Sequence, residues 1–124
     1  MRLAPCAYSM TFNVTGNRLN AILNQRSQDM LTANNWNVCQ YAALLIMFAK
    51  STGFEPGELV HVIADAHIYD RHIDAVKRLI EKKPYPAPEM QVEDITDFYK
   101  FTKNSFTAVD YKYHEFTDKI PVAI

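Results

Sequence analysis

The stretch from Trp36 to Ser51 constrains the fold more than any other part of the chain. It contains Val38, Tyr41, Ala42, Ala43, Leu44, Leu45, Ile46, Met47, Phe48 and Ala49. These residues leave no polar face of any width, so the stretch reads as a helix that is apolar nearly all round. Asn34 or Asn35 offers a side-chain cap at its start, and Gly53 offers a left-handed stop at its end. Such a helix is expected to be central and buried. It needs partners on several sides, supplied by a sheet, by other helices or by another chain.

Strands flank it. From Ala7 to Val14, Tyr8, Met10, Phe12 and Val14 share one face, and Ala7, Ser9, Thr11 and Asn13 share the other. That period of two defines a half-buried strand. Thr15-Gly16-Asn17 reads as a turn into a second strand, Arg18 to Gln25, with Leu19, Ala21 and Leu23 on one face. After the helix, Phe54-Glu55-Pro56-Gly57 reads as a turn. Glu58 to Tyr69 then reads as an extended strand and its exit. Asp70 can cap a second, amphipathic helix, Arg71 to Lys83, with Ile73, Val76, Leu79 and Ile80 inward. Pro84-Tyr85-Pro86-Ala87-Pro88 stops it. Weaker signals suggest a short strand at Met90 to Val92 and a final one at Phe106 to Tyr111. The tail from Lys119 to Ile124 is apolar enough to pack on something.

This order describes an α+β chain: a mixed, twisted β-sheet with one central buried helix and one amphipathic surface helix. Its 124 residues suit a single domain over 1–124. Charged residues make up 22% and the formal net charge is −1, so no basic footprint for nucleic acid or an anionic membrane is present. No apolar run is long enough to span a bilayer, and the first six residues lack a signal-peptide apolar region, so a cytoplasmic protein is expected.

The polar stretch from Asn24 to Asn37 lies between the second strand and the apolar helix. Its plain reading is a solvated loop. It also collects one guanidinium, hydroxyls, one carboxylate and several amides, the groups that hold a phosphate and read a heterocycle. Arg26 is either a surface ion-pair partner or, by its two-pronged geometry, a phosphate ligand, with Ser27 as a second donor. Asn37 is either another capping amide or a reader of the N3–H and O4 edge of uracil, since its acceptor and donor stand side by side. Cys39, in an apolar run, reads as a buried packing residue. Cys6 reads as an inert buried thiol, or as a nucleophile if Arg26 on the neighbouring strand lies beside it. His61, Asp65, His67, Asp70 and His72 match no common zinc spacing, so no metal site is expected. His61 is read as a partly buried, hydrogen-bonded imidazole. His67 and Tyr69, two apart at the strand exit, could both meet one sugar hydroxyl.

Leu3-Ala4-Pro5-Cys6, Gln25-Arg26-Ser27 with Asp29, Asn37 before Tyr41-Ala42, Asp65-Ala66-His67-Ile68-Tyr69 and the closing Pro121-Val122-Ala123-Ile124 resemble thymidylate synthase, in family order and spacing. The resemblance covers about the second, nucleophile-bearing half of a family member. It implies reductive methylation of dUMP to dTMP with 5,10-methylenetetrahydrofolate and no metal. Cys6 would be the nucleophile that adds to uracil C6. Gln25, Arg26, Ser27, Asp29, Asn37, His67 and Tyr69 would bind substrate: Arg26 and Ser27 at the phosphate, Asn37 at the base, His67 and Tyr69 at the ribose. Asp29, Ala123 and Ile124 would contact the folate. Catalytic roles would fall to Cys6, Arg26, Asp29 and Asn37. The resemblance also implies a homodimer of back-to-back sheets, to which the face of Tyr8, Met10, Phe12 and Val14 could contribute if it does not face the core. A separate chain carrying the family's first half is the other implied partner. Alternatives are a non-catalytic dimeric or nucleotide-binding module, and a split enzyme. The chain departs from the family at Ala7, where His is usual, at Ala33 and Ala64, where Gly is common, and at Asn35-Trp36, where Pro-Phe is usual. The family's catalytic glutamate and the arginines of its second subunit have no counterpart among these residues.

Overall fold

The computed structural model describes residues 4–121. Two compact units emerge, one running up to His67 and including Asp94–Phe101, the other comprising Ile68–Glu93 and the residues from Thr102 onward.

The first unit begins with an antiparallel hairpin, β1 (Ala7–Thr15) and β2 (Arg18–Gln25), as the alternation predicts. Gly16 turns the hairpin at φ +62°, a conformation that costs glycine no steric strain. A short β3 (Gln28–Asp29) leads into α1 (Asn34–Thr52), and β4 (Glu55–Ile63) returns parallel to β2. The sheet is mixed, in the order β1-β2-β4. Beyond it, β5 (Ala66–His67) pairs with β3 in parallel.

The core lies between β2 and α1. Leu19, Ala21 and Leu23 on one side, and Leu45 and Ala49 on the other, are buried. Ala21 at 1% exposure and Ala49 at 0% are small enough to let helix and sheet close together. Leu23 is also only 1% exposed, a burial worth about 1.5–3 kcal/mol. Met10, Phe48, Phe54 and Leu59 pack around this cluster. Phe48 meets Phe12 edge-on at 5.1 Å and stacks on Phe98 at 4.8 Å. The face of Met10 and Phe12 is therefore turned toward α1, although Phe12 itself and Tyr8 and Val14 on the same face remain exposed.

Several expectations are corrected here. Glu55-Pro56-Gly57 is not a turn but the start of β4, because Glu55 finds a parallel partner in Arg18. Gly57 is required there for another reason. A Cβ would stand 2.8 Å from the Leu19 carbonyl, at the register shift between Leu19 and Ala21. The α1 helix starts at Asn34 with Ala33 as its N-cap, so neither Asn34 nor Asn35 caps it by side chain. Gly53 does end it, at φ +78°. Only Leu45 and Ala49 of α1 are buried, while Trp36, Val38 and Cys39 are exposed. A three-stranded sheet covers one stripe of a helix, so its remaining apolar faces from Tyr41 onward are left half-buried. Finally, the strand does not run from Glu58 to Tyr69. It breaks after Ile63, and the row of His61, Asp65, His67 and Tyr69 is broken with it.

In the second unit a 3₁₀ turn, Asp70–His72, precedes α2 (Ile73–Ile80). Asp70 does not cap that helix, whose N-cap is His72 with no side-chain bond. Its buried residue is Ala75, whereas Ile73, Leu79 and Ile80 are exposed. Two further strands, β6 (Glu89–Val92) and β7 (Phe106–Val109), form an antiparallel pair. β7 stops short of Tyr111 because Asp110 takes φ +57°.

The chain from 114 to 121 is stitched to the α2 region by polar contacts. Arg78 grips Asp118 through two nitrogens at 3.2 and 2.9 Å. Lys82 Nζ donates to the Glu115 carbonyl at 2.9 Å, and His114 Nε2 donates to the Lys83 carbonyl at 2.8 Å. His72, only 2% exposed, donates to the Pro121 carbonyl at 2.9 Å. Among the described residues no helix is long and apolar enough to cross a membrane.

Candidate active site

Because β2 and β4 are parallel and β1 runs against them, the carboxyl ends of two strands and the amino end of the third meet at one sheet edge. Ligands commonly bind at such an edge in α/β sheets. Three backbone bonds knit it: Arg26 N to the Cys6 carbonyl at 2.9 Å, Ala64 N to the Gln25 carbonyl at 3.0 Å, and Gln28 N to the Asp65 carbonyl at 2.9 Å. The edge thus gathers Cys6, Gln25, Arg26 and the start of β3.

Cys6 is exposed, which excludes the buried-thiol reading. The Arg26 guanidinium wraps the segment before the thiol. Its Nε donates to the Pro5 carbonyl at 3.2 Å, and its Nη2 donates to the Ala4 carbonyl at 2.6 Å and to Cys6 Sγ at 3.8 Å. Among the described residues the other terminal nitrogen has no such partner, so two N–H donors of the fork remain for an anion. Ser27 follows half-buried in the bend after β2.

Next to Arg26, Gln25 turns inward and is 2% exposed. Its Nε2 donates to the Ser27 carbonyl at 2.8 Å, to Asn37 Oδ1 at 3.3 Å and to Gln28 Oε1. Its Oε1 accepts from His61 Nε2 at 3.0 Å. Asn37 is half-buried in the first turn of α1, where its N–H donates to the Ala33 carbonyl at 3.0 Å. Asp29 shapes the approach to that helix. Its Oδ1 accepts from Leu31 N at 3.0 Å and Thr32 N at 3.2 Å, and its Oδ2 from the Thr32 hydroxyl. Asp29 is the register partner of His67, and Met30 N donates to the His67 carbonyl at 2.9 Å. His67 Nδ1 lies 3.3 Å from an Asp65 carboxylate oxygen.

Cys6, Gln25, Arg26, Ser27, Asp29, Asn37 and His67 all lie in the first unit. Tyr69 lies in the second, where its ring meets His72 edge-on at 5.7 Å. Ala123 and Ile124 lie outside the described residues. His61 has the hydrogen bond expected of it, and it, His67 and His72 each have a different partner. Among the described residues no group of three or more His, Cys, Asp or Glu side chains is gathered as for a metal. Sequence reasoning missed Gln28. It is 1% exposed and closes the amide cluster, and the only signal was a second glutamine three residues after Gln25 in a stretch read as solvated.

The chain is thus an α+β fold in which a thiol stands beside a guanidinium at the carboxyl edge of a mixed sheet. The family model for thymidylate synthase matches residues 1–124, and the chain belongs to that family. It is 40% identical over 114 residues to a thymidylate synthase of Bacillus phage phi3T, an alignment covering 91% of this chain and 41% of the relative. A thymidylate synthase of Bacillus atrophaeus is also 40% identical over 91% of this chain, with 50% of the relative covered. The solved structure of the thermostable thymidylate synthase A from Bacillus subtilis superposes with a TM-score of 0.90 at 38% identity, covering 100% of this chain and 44% of that one. The chain thus spans about half the length of the relatives it matches.

Proposed function

We propose that this chain is the nucleophile-bearing part of a cytoplasmic thymidylate synthase that converts dUMP to dTMP. The observation that carries the reading is the donation from Arg26 to the exposed Cys6 thiol; the planar fork of the same guanidinium also suits a phosphate. Cys6 Sγ adds to uracil C6, Arg26 and Ser27 hold the phosphate, and Asn37 reads the base edge. His67 and Tyr69 are assigned to the ribose. Methylenetetrahydrofolate supplies the one-carbon unit and the hydride. Asp29, whose carboxylate accepts from Leu31 N, Thr32 N and the Thr32 hydroxyl, is assigned to the folate side by resemblance. Ala123 and Ile124 are carried to the same side by resemblance. A homodimer belongs to the proposal. The sheet face opposite α1 exposes Ile22, Val60 and Val62, and Ile22 pairs with Val60 across it, so the contact falls there and not on the face of Met10 and Phe12.

The test is intact mass after incubation with 5-fluoro-dUMP and methylenetetrahydrofolate. An adduct on the wild type and none on Cys6→Ala supports the reading. No adduct, even with the first half of a family member added as a separate chain, overturns it in favour of a non-catalytic module. An adduct that appears only on that addition identifies a split enzyme. Sustained dTMP formation by the chain alone would show that no further part is needed.

A further inference from the structure

The buried amides behind Asn37 set which way round its own amide is held. A carboxamide can rotate by half a turn at little cost, which exchanges its donor and its acceptor. A free Asn37 could therefore match uracil in one orientation and cytosine in the other. The Ser27 carbonyl has no proton, so the Gln25 atom facing it at 2.8 Å must be the nitrogen. The Gln25 oxygen then faces His61 Nε2 at 3.0 Å, which must carry a proton. The Gln25 nitrogen also faces Gln28 Oε1 and, at 3.3 Å, Asn37; its two protons are shared among these acceptors, and a shared proton calls for the Asn37 oxygen there rather than its nitrogen. Reversing Asn37 would set two donors against each other, while reversing Gln25 would bring its oxygen against the Ser27 carbonyl. At 2% exposure Gln25 has no water to relieve either mismatch, and an unpaired buried polar group is costly.

We infer that His61 is a positioning residue: as the Nε2–H donor to Gln25 it locks the Asn37 amide in the orientation that selects a uracil over a cytosine nucleotide. The inference rests on the uracil reading proposed above, but the lock itself does not. His61 touches no nucleotide in this scheme and acts only through Gln25.

Two measurements on the full chain separate the levels. In nitrogen-15 spectra of the wild type, His61 should carry its proton on Nε2, and the side-chain amides of Gln25 and Asn37 should exchange slowly. His61→Phe, with the backbone spectrum of β2 retained, should speed both side-chain exchanges about tenfold, the scale set by one buried hydrogen bond. His61→Gln, whose amide nitrogen replaces Nε2, should restore them. A His61 protonated on Nδ1 alone, or amide exchange unchanged in His61→Phe, overturns the lock; the first readout needs no variant to fold. Competition between dUMP and dCMP then tests its use. The preference for dUMP should fall about tenfold in His61→Phe and return in His61→Gln. A preference equal in all three proteins overturns the inference. A verified lock with no wild-type preference for dUMP overturns the uracil reading instead.

Discussion

The two units are built by different physics. The first has an apolar centre in which Leu19, Ala21, Leu23, Leu45 and Ala49 are buried. The second buries Ala75, His72 and Ser105, and its own segment 114–121 is held to the α2 region by charged and polar contacts. Apolar burial is favourable in proportion to area, whereas exposed ion pairs contribute little. The residues assigned to nucleophile, phosphate and base therefore stand on the well-buried unit, where a side chain can be held in one rotamer. The second unit should open locally at much lower free energy.

The largest expected effect tests the first half of that contrast. Leu45→Ala leaves a hole between β2 and α1 and should cost about 2–5 kcal/mol in urea unfolding, with the β1–β2–β4 amides losing protection together. A cost under about 1 kcal/mol would show that this centre does not hold the unit together. A smaller, local effect tests the second half. Arg78→Ala should speed hydrogen exchange several-fold across 114–121 and leave β2 unchanged. Added salt should do the same to the wild type, since at about 1 M the screening length is about 3 Å. The pH dependence of this pair has a definite sign on the Arg78 side. The guanidinium is held above its ordinary value, first by its hydrogen bond to Asp118. Its contribution is thus complete below the unfolded value and lost only as pH rises through the higher folded one. Exchange in 114–121 should accordingly show no Arg78-linked change between pH 7 and 10. The smallest effect concerns the outer row of α2. Ile80 is 75% exposed, so Ile80→Glu should shift stability by less than about 0.5 kcal/mol. A larger loss would mean that the row is buried, as its spacing suggested.

Legibility in the sequence followed the range of the interaction. The hairpin, the two helices and the glycine at the end of α1 were readable because each depends on residues close in the chain. Period two in Leu19, Ala21 and Leu23 needs only the pleat of one strand, and Gly53 needs only its own φ. The motifs around Cys6, Arg26, Asp29, Asn37 and His67 were likewise present as residue types in order. Other features were decided across the fold. Glu55-Pro56-Gly57 carries turn residues, yet pairing with Arg18 and Leu19 makes it a strand. Ile80 sits on an apolar spacing, yet no packing covers it. Cys39 lies in an apolar run, yet on a part of α1 that the sheet does not reach.

The sequence by itself determined the α+β class, the family and the residues from which a half-site could be built. Only the tertiary structure decided that Arg26 reaches Cys6, and that Gln25, Gln28, His61 and Asn37 join in one hydrogen-bonded cluster. The reason is that a local pattern reports the conformation of its own backbone. A hydrogen bond between Gln25 and His61 depends on two strands meeting in register at a chain separation of 36 positions, which no local pattern encodes.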